Sequence, residues 1–94
     1  MEIVNADVEM LASLHGEIEK QTGRPLHFYQ DREDIKMFAA VENGRLLGVL
    51  MAKLLLSERK GQIIFRYGDS EAGQQLMQHA LKWMRLNKVD DFLF

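Results

Sequence analysis

The sequence predicts an α/β fold, with a mixed and mostly antiparallel sheet of about five strands and two main helices. Three patterns carry this prediction: an amphipathic segment near the N-terminus, an Asn-Gly pair between two apolar runs in the middle, and a long helical pattern between two apolar runs near the C-terminus. An Asn-Gly turn joins antiparallel strands, whereas a strand–helix–strand unit implies parallel pairing. The sheet is therefore expected to contain both kinds of pairing.

Composition sets the outer limits of the prediction. The chain has 94 residues, 47% hydrophobic and 28% charged, which fits one folded domain. It contains no cysteine, so disulfides and thiolate metal sites are excluded. No signal-peptide pattern or apolar stretch of membrane-spanning length is present, and we expect a cytoplasmic protein. A net charge of −2 gives no reason to expect nucleic-acid binding.

The first half begins with a short apolar segment, residues 1–4, that predicts an edge strand. Asn5 or Asp7 is suited to cap the helix that follows, and Gly23 is suited to end it. One apolar face recurs at helical spacing in this segment: Val8, Leu11, Leu14, His15 and Ile18. Residues 24–34 are polar and irregular, so we expect a loop there with at most a short helical turn.

The middle of the chain predicts a hairpin. Residues 37–41 read as a strand, and the pair Asn43-Gly44 is typical of a type I′ turn. The returning strand, residues 46–56, is apolar almost throughout, which favours a central strand buried on both faces. Gly48 within it indicates a bulge or a close approach of a ligand to the backbone. Residues 63–67 are expected to add a third strand.

The last helix is the clearest element. Asp69 or Ser70 can cap it, and Asn87 or Lys88 ends it. Its apolar stripe steps by three and four residues through Gly73, Leu76, Met77, Ala80, Leu81 and Met84. Residues 92–94 then return to the sheet, parallel to the strand at residues 63–67.

This order of elements resembles the GNAT superfamily of acyl-CoA-dependent N-acyltransferases. MEIVNADVEMLASL is similar to the family's opening strand and first helix, MFAAVENGRLLGVLMA to its second and third strands, and residues 72–94 to its long helix and fifth strand. The resemblance implies transfer of an acetyl group from acetyl-CoA to an amine on a small molecule or a protein.

In that family, the loop before the long helix carries Arg or Gln, two residues, Gly, one residue, then Gly or Ala, and its N–H groups hold the pyrophosphate of coenzyme A. Gly73 matches the last position, but Glu71 and Gly68 stand where the family has Gly and Arg or Gln. Arg66 lies nearby, out of register. Asp69 and Glu71 also add negative charge where a pyrophosphate would sit.

The resemblance implies a set of cofactor-binding residues for acetyl-CoA. The strand backbone at Phe65, Arg66 and Tyr67 would orient the acyl-bearing arm, and the helix start would hold the pyrophosphate through Ser70, Ala72, Gly73 and Gln74. Glu58, in the turn after the central strand, is a candidate general base. No metal site is expected.

Other side chains that could take part in catalysis or metal binding have simpler structural explanations. His15 and His79 are expected to pack on their helices, whereas His27 lies in the irregular segment that the family uses for substrate contact. The acidic cluster in the same segment favours a solvated turn over a cation site: Asp31, Glu33 and Asp34.

Two functions stay open at this stage. GNAT proteins normally continue beyond the fifth strand with another helix and two strands, and that helix often carries a tyrosine general acid; the sequence lacks these elements. We therefore expect a fragment, a chain whose missing elements come from another chain, or a reduced member without catalysis. The two open functions are an acetyltransferase and a GNAT-like module that binds proteins without catalysis. In both cases a homodimer or a partner chain is expected to cover the last strand, residues 91–94.

Overall fold

A computed structural model describes residues 1–93, so Phe94, the end of the expected last strand, lies outside the described residues. Five strands form one sheet in the order β1-β2-β3-β4-β5, and two α-helices pack on it. The strands are β1 (Glu2–Asn5), β2 (Ile35–Glu42), β3 (Arg45–Leu55), β4 (Lys60–Gly68) and β5 (Asp91–Leu93); the helices are α1 (His15–Thr22) and α2 (Ser70–Leu86). Neighbours β1 to β4 pair antiparallel and β5 pairs parallel to β4, which confirms the predicted mixed sheet.

The hairpin and the central strand agree with the sequence prediction. Asn43 and Gly44 have φ values of 51° and 76°, the left-handed backbone that a type I′ turn requires. Strand β3 is third of five in the sheet, and its middle residues are buried on both faces. Most of the core therefore forms around β3.

The first helix is shorter than its periodicity predicts. Asp7 does begin a turn, since its Oδ1 accepts a hydrogen bond from the Met10 N–H at 2.8 Å, but a 3₁₀ turn at Ala12–Leu14 follows and the α-helix starts only at His15. His15 is exposed rather than on the apolar face, with Nδ1 3.0 Å from the Ala12 carbonyl oxygen. Gly16 in the first α-helical turn weakens helix propensity here.

The sheet separates two apolar clusters. One lies under α2 and includes Phe38, Leu50, Ala72, Leu76 and Met84. The other lies under α1 and a 3₁₀ turn at Leu26–Tyr29, and it includes Leu11, Ile18, Val49, Met51 and Phe65. Because alternate residues of β3 and β4 enter opposite clusters, the two strands hold both layers together.

Candidate functional site

A groove lies where β4 ends and α2 begins. Its volume is about 620 Å³, and we call it the loop groove. Its floor is formed by Val49, Leu50, Leu76 and Met77, and its rim by Arg66, Tyr67, Gly68, Asp69, Ser70, Gly73 and Gln74. The groove thus combines an apolar floor with a rim of polar side chains and helix-start backbone.

The turn at the rim depends on Gly68. Its φ is +118°, a value that residues with a side chain rarely adopt. A Cβ built at Gly68 would lie 2.6 Å from the Leu47 carbonyl oxygen and 2.8 Å from the Gly48 Cα, both backbone atoms that cannot move aside cheaply. The chain therefore needs glycine to turn from β4 into α2 this tightly against β3.

Gly48 allows the start of α2 to approach the sheet. A Cβ at Gly48 would lie 2.9 Å from the Tyr67 carbonyl oxygen, 3.0 Å from the Ala72 Cβ and 3.1 Å from the Leu76 Cδ1. The neighbouring pairing with β2 is irregular, since Ala40 pairs with Gly48 and the next residue, Val41, pairs with Leu46. The bulge is thus observed beside Gly48, and it is the helix, rather than a ligand, that approaches the backbone there.

The N-terminus of α2 is capped in part by the protein itself. Asp69 is the N-cap, and its Oδ1 accepts a hydrogen bond from the Ala72 N–H at 2.9 Å. The Gly73 N–H donates to the Asp69 carbonyl oxygen, also at 2.9 Å. Because a helix leaves its first N–H groups without intrahelical acceptors, the N–H groups of Ser70 and Glu71 have no partner within α2, and of these two residues Ser70 lines the loop groove.

Gly73 faces open space in the first turn of α2. A Cβ built there meets no atom within 4 Å, so packing does not require glycine at this position. Glycine inside a helix costs roughly 0.8–1 kcal/mol relative to alanine. Gly73 thus keeps the groove rim free of side-chain atoms, and this is the position that matches the family's pyrophosphate motif.

The seven predicted cofactor-binding residues fall into two groups. Five line the loop groove: Arg66, Tyr67, Ser70, Gly73 and Gln74. The side chains of Phe65 and Ala72 are buried in the clusters under α1 and α2, so only their backbone groups are open to a ligand role. Arg66 reaches the groove although it is out of register with the family motif, whereas Glu71 is exposed and does not line it.

Glu58 is not brought to the groove. It is exposed in a 3₁₀ turn, Leu56–Glu58, just before β4 begins, while the loop groove lies at the other end of that strand. At about 3.3 Å per residue, the two ends of β4 are roughly 25 Å apart. Glu58 therefore cannot act as a base on a group held in the loop groove, and the reason is its position along β4.

Strand β4 has an open edge next to the loop groove. Strand β5 pairs with it only from Lys60 to Gln62, and within residues 1–93 no strand covers that edge further along. The β3–β4 register shifts where Ala52 pairs with Ile63 and Met51 with Phe65, which leaves Ile64 as a bulge. Bulges often occur beside active sites, where they redirect backbone and side-chain groups.

A shallow depression of about 380 Å³ follows this open edge, and we call it the edge depression. It is lined by Gln21 and residues 63–66, so it shares Arg66 with the loop groove. The two depressions therefore adjoin at Arg66, beside the β4 backbone that leads to the bulge at Ile64.

Sequence reasoning missed several groove residues. Gly68 lies directly after a strand and before the capping Asp69, which is a turn signal, but the sequence does not show that this turn lines a groove. The apolar floor comes from residues assigned to the core. His79 packs edge-on against Phe38, with ring centroids 5.4 Å apart, as the sequence indicated. Within residues 1–93, no group of three His, Asp or Glu side chains is placed to hold a metal.

Solved structures of acetyltransferases share this architecture. An acetyltransferase from Vibrio fischeri superposes with a TM-score of 0.75 at 18% identity, over 99% of this chain and 94% of that one. The ribosomal-protein-S18-alanine N-acetyltransferase from Escherichia coli gives 0.73 at 16% identity, over 98% of this chain and 64% of that one. An aminoglycoside acetyltransferase from an uncultured soil metagenomic sample gives 0.71 at 12% identity, over 99% and 74%. The chain has the GNAT fold.

This likeness concerns the fold, since the sequence matches no protein-family model and no curated protein. The Vibrio fischeri structure is matched over nearly its whole length, so an acetyltransferase structure of similar extent exists among the neighbours. Among residues 1–93, no helix is both long enough and apolar enough to cross a lipid bilayer.

Coenzyme A is the cofactor that this fold family implies, and the loop groove fits it. The free Ser70 N–H at the start of α2, the open space at Gly73 and the Arg66 side chain suit a pyrophosphate. Asp69 is the one carboxylate on the rim, and its Oδ1 already accepts the Ala72 N–H. The donor set is therefore of the kind that suits an anion, with Asp69 as an opposing charge.

Proposed function

We propose that the protein is an N-acetyltransferase that moves an acetyl group from acetyl-CoA to an amine. The observation that carries this proposal is that Arg66 lines both the loop groove and the edge depression. A helix N-terminus at one end and an unpaired, bulged strand edge at the other suit a ligand with a pyrophosphate at one end and an amide-containing arm beyond it.

The chain's own groups would have distinct roles. The Ser70 N–H would bind the pyrophosphate, with the Arg66 guanidinium as a positive group beside it. Backbone groups of β4 between Ile63 and Tyr67 would pair with the pantetheine amides and polarise the acyl carbonyl. Holding the reactants in this way contributes by orientation, since a positioned amine reacts as an intramolecular group would.

Acetyl-CoA, when bound, supplies an activated thioester: the amine nitrogen forms the new C–N bond, the C–S bond breaks, and coenzyme A leaves as a thiol carrying the amine's proton. The described residues of the loop groove include no histidine or glutamate, and Glu58 is at the other end of β4. We therefore assign no side chain as the general base, and catalysis would rest on positioning and on backbone dipoles.

Thermal stability with acetyl-CoA tests this proposal directly. A ligand at 100 times its dissociation constant adds about 2.7 kcal/mol to the free energy of unfolding, which raises Tm by roughly 10 °C or more in a domain of this size. Coenzyme A should give a similar shift, whereas pantetheine, which lacks the pyrophosphate, should give a smaller one. An unchanged Tm at millimolar acetyl-CoA would contradict the proposal.

A non-catalytic protein-binding module is the second candidate, because of one observation. Asp69 places a carboxylate on the groove rim and also takes the Ala72 N–H that an anion would otherwise receive. In that case acetyl-CoA leaves Tm unchanged, and light scattering shows self-association or capture of a partner through the β5 side of the sheet. The same titration therefore separates the two candidates.

A further inference from the structure

A second cleft, of about 430 Å³, lies on the face of the sheet opposite α2, and we call it the cationic cleft. It is bounded by the end of α1, the 3₁₀ turn at Leu26–Tyr29 and strands β2 to β4. Its walls are formed by Gln21, Thr22, Arg24, Phe28, Tyr29, Arg32, Ile35, Lys53, Gln62, Ile63 and Ile64. The cleft is therefore lined by three cationic side chains and no acidic one.

Two of the cationic side chains, Arg24 and Arg32, stack on the same aromatic ring, that of Phe28. The guanidinium carbons of Arg24 and Arg32 lie 4.8 Å and 4.0 Å from the centroid of the Phe28 ring. Arg32 Nε also donates a hydrogen bond to the Phe28 carbonyl oxygen at 2.6 Å, which leaves its two terminal nitrogens for another acceptor. Stacking on the ring restricts both guanidinium groups and keeps them at the cleft.

These cations have no acidic partners in the described chain. Among residues 1–93, an ion pair within 4.0 Å forms only between the N-terminal amine and Glu42, and neither residue lines the cleft. The acids beside Arg32, namely Asp31, Glu33 and Asp34, do not line the cleft, and Glu17 on α1 accepts from the Gln21 side-chain amide.

Lys53 and Gln62 add donors at the strand side of the cleft. Both side chains are half-buried, and they belong to residues paired across β3 and β4. Three like charges around one cleft raise the local positive potential, and an anion relieves their repulsion. Planar guanidinium groups match a carboxylate in particular, because they can donate two parallel hydrogen bonds.

The cleft also meets the path proposed for the acyl group. It shares Gln21, Ile63 and Ile64 with the edge depression, and Ile64 is the bulged residue of β4. A small molecule in the cleft would therefore present its other end to the strand edge next to the bulge.

We propose that the cationic cleft binds the carboxylate of a small amine, the size of an amino acid, and that this amine is the acetyl acceptor. The second half of this statement rests on the function proposed above; the first half, carboxylate binding, does not. Arg24, Arg32 and Lys53 hold the carboxylate, Phe28 keeps the two guanidinium groups at the cleft, and the free amine faces the edge of β4 at Ile64, where it attacks the thioester carbonyl.

The binding half is tested on the full chain without acetyl-CoA. Glutamate is titrated at low ionic strength while backbone amide shifts are followed by NMR, with putrescine and succinamide as probes that lack a carboxylate. We expect glutamate alone to move the amides of Arg24, Phe28 and Gln62. Binding of inorganic phosphate without glutamate binding, or equal shifts with succinamide, would overturn the carboxylate assignment.

Charge-matched variants locate the site. Arg24→Gln and Lys53→Gln should each weaken glutamate binding about fivefold or more, because each removes a charged hydrogen-bond donor. Arg85→Gln, an exposed residue on α2 outside the cleft, removes the same charge and should leave affinity within about twofold. Equal weakening by all three variants would mean that net charge, and not the cleft, attracts the ligand.

The acceptor half is tested by mass spectrometry of reactions with acetyl-CoA and either glutamate or putrescine. We expect acetylated glutamate and no acetylated putrescine. Acetylation of putrescine alone overturns the acceptor assignment while the proposed activity stands. Glutamate binding in a protein that does not bind acetyl-CoA overturns the activity and the acceptor role together, and leaves carboxylate binding established.

Discussion

The two anion-facing regions beside β4 differ in how they are built. In the loop groove, the positive groups are mainly backbone N–H groups, and their positions depend on tight packing at Gly48 and Gly68. In the cationic cleft, they are side chains of Arg24, Arg32 and Lys53 that rest on a strand and an aromatic ring. The groove is therefore sensitive to volume changes and the cleft to charge changes, and the following substitutions test this difference.

The largest effect is expected for Gly68→Ala. The new Cβ would meet backbone atoms of Leu47 and Gly48 at 2.6 and 2.8 Å, at a φ of +118°, so we expect a loss of about 3 kcal/mol in unfolding free energy. Urea unfolding measures it. Gly44→Ala is the control, since its φ is +76° with no atom within 4 Å, and it should cost only about 1 kcal/mol. Equal losses would mean that φ, not contact, explains the effect.

Gly48→Ala is expected to cost about 2 kcal/mol, because its Cβ would press on the Tyr67 carbonyl oxygen and on Ala72 and Leu76. It should also weaken acetyl-CoA binding by moving the start of α2, while glutamate binding to the cationic cleft persists in the folded protein. Loss of both ligands to the same degree would show that the two regions are not independent.

Two substitutions at Asp69 separate the effect of its N-cap hydrogen bond from the effect of its negative charge. Asp69→Ala removes the acceptor for the Ala72 N–H and should cost about 1 kcal/mol, whereas Asp69→Asn keeps a capping group and should cost only a few tenths. Because Asn removes a negative charge from the groove rim, acetyl-CoA affinity should rise about fivefold. Titration calorimetry measures this affinity. Glu71→Gln is the control, since it alters an exposed residue outside the rim and should raise acetyl-CoA affinity less.

The smallest effect concerns two helical glycines. Gly73→Ala and Gly16→Ala each place a methyl group in open space and should each raise unfolding free energy by roughly 0.5–1 kcal/mol. Only Gly73→Ala should weaken acetyl-CoA binding, since only Gly73 lies on the loop groove. Unchanged affinity in the Gly73 variant would mean that the pyrophosphate is not held at this turn.

Local patterns were enough to predict the regular elements. Asn43-Gly44 specified its turn through backbone conformation, Asp69 specified the start of α2 through its carboxylate, and the three-and-four spacing from Leu76 to Met84 specified the buried face. The chain order then led to the correct sheet, because a helix between strands β4 and β5 requires parallel pairing. The first helix was predicted too long, since apolar spacing alone does not reveal a break at Leu14.

The site depended on contacts between distant residues. Sequence determined the strand–loop–helix unit, the capped start of α2 and the GNAT-like order of elements, because each of these depends on neighbours within a few positions. Only the tertiary structure shows that Gly48 and Gly68 allow the start of α2 to pack closely against β3. It also places Glu58 a strand's length from the groove, and it brings Arg24, Arg32 and Lys53 around one cleft. The physical reason is that burial and charge proximity are set by strand register and helix packing, which bring together residues that the chain keeps far apart.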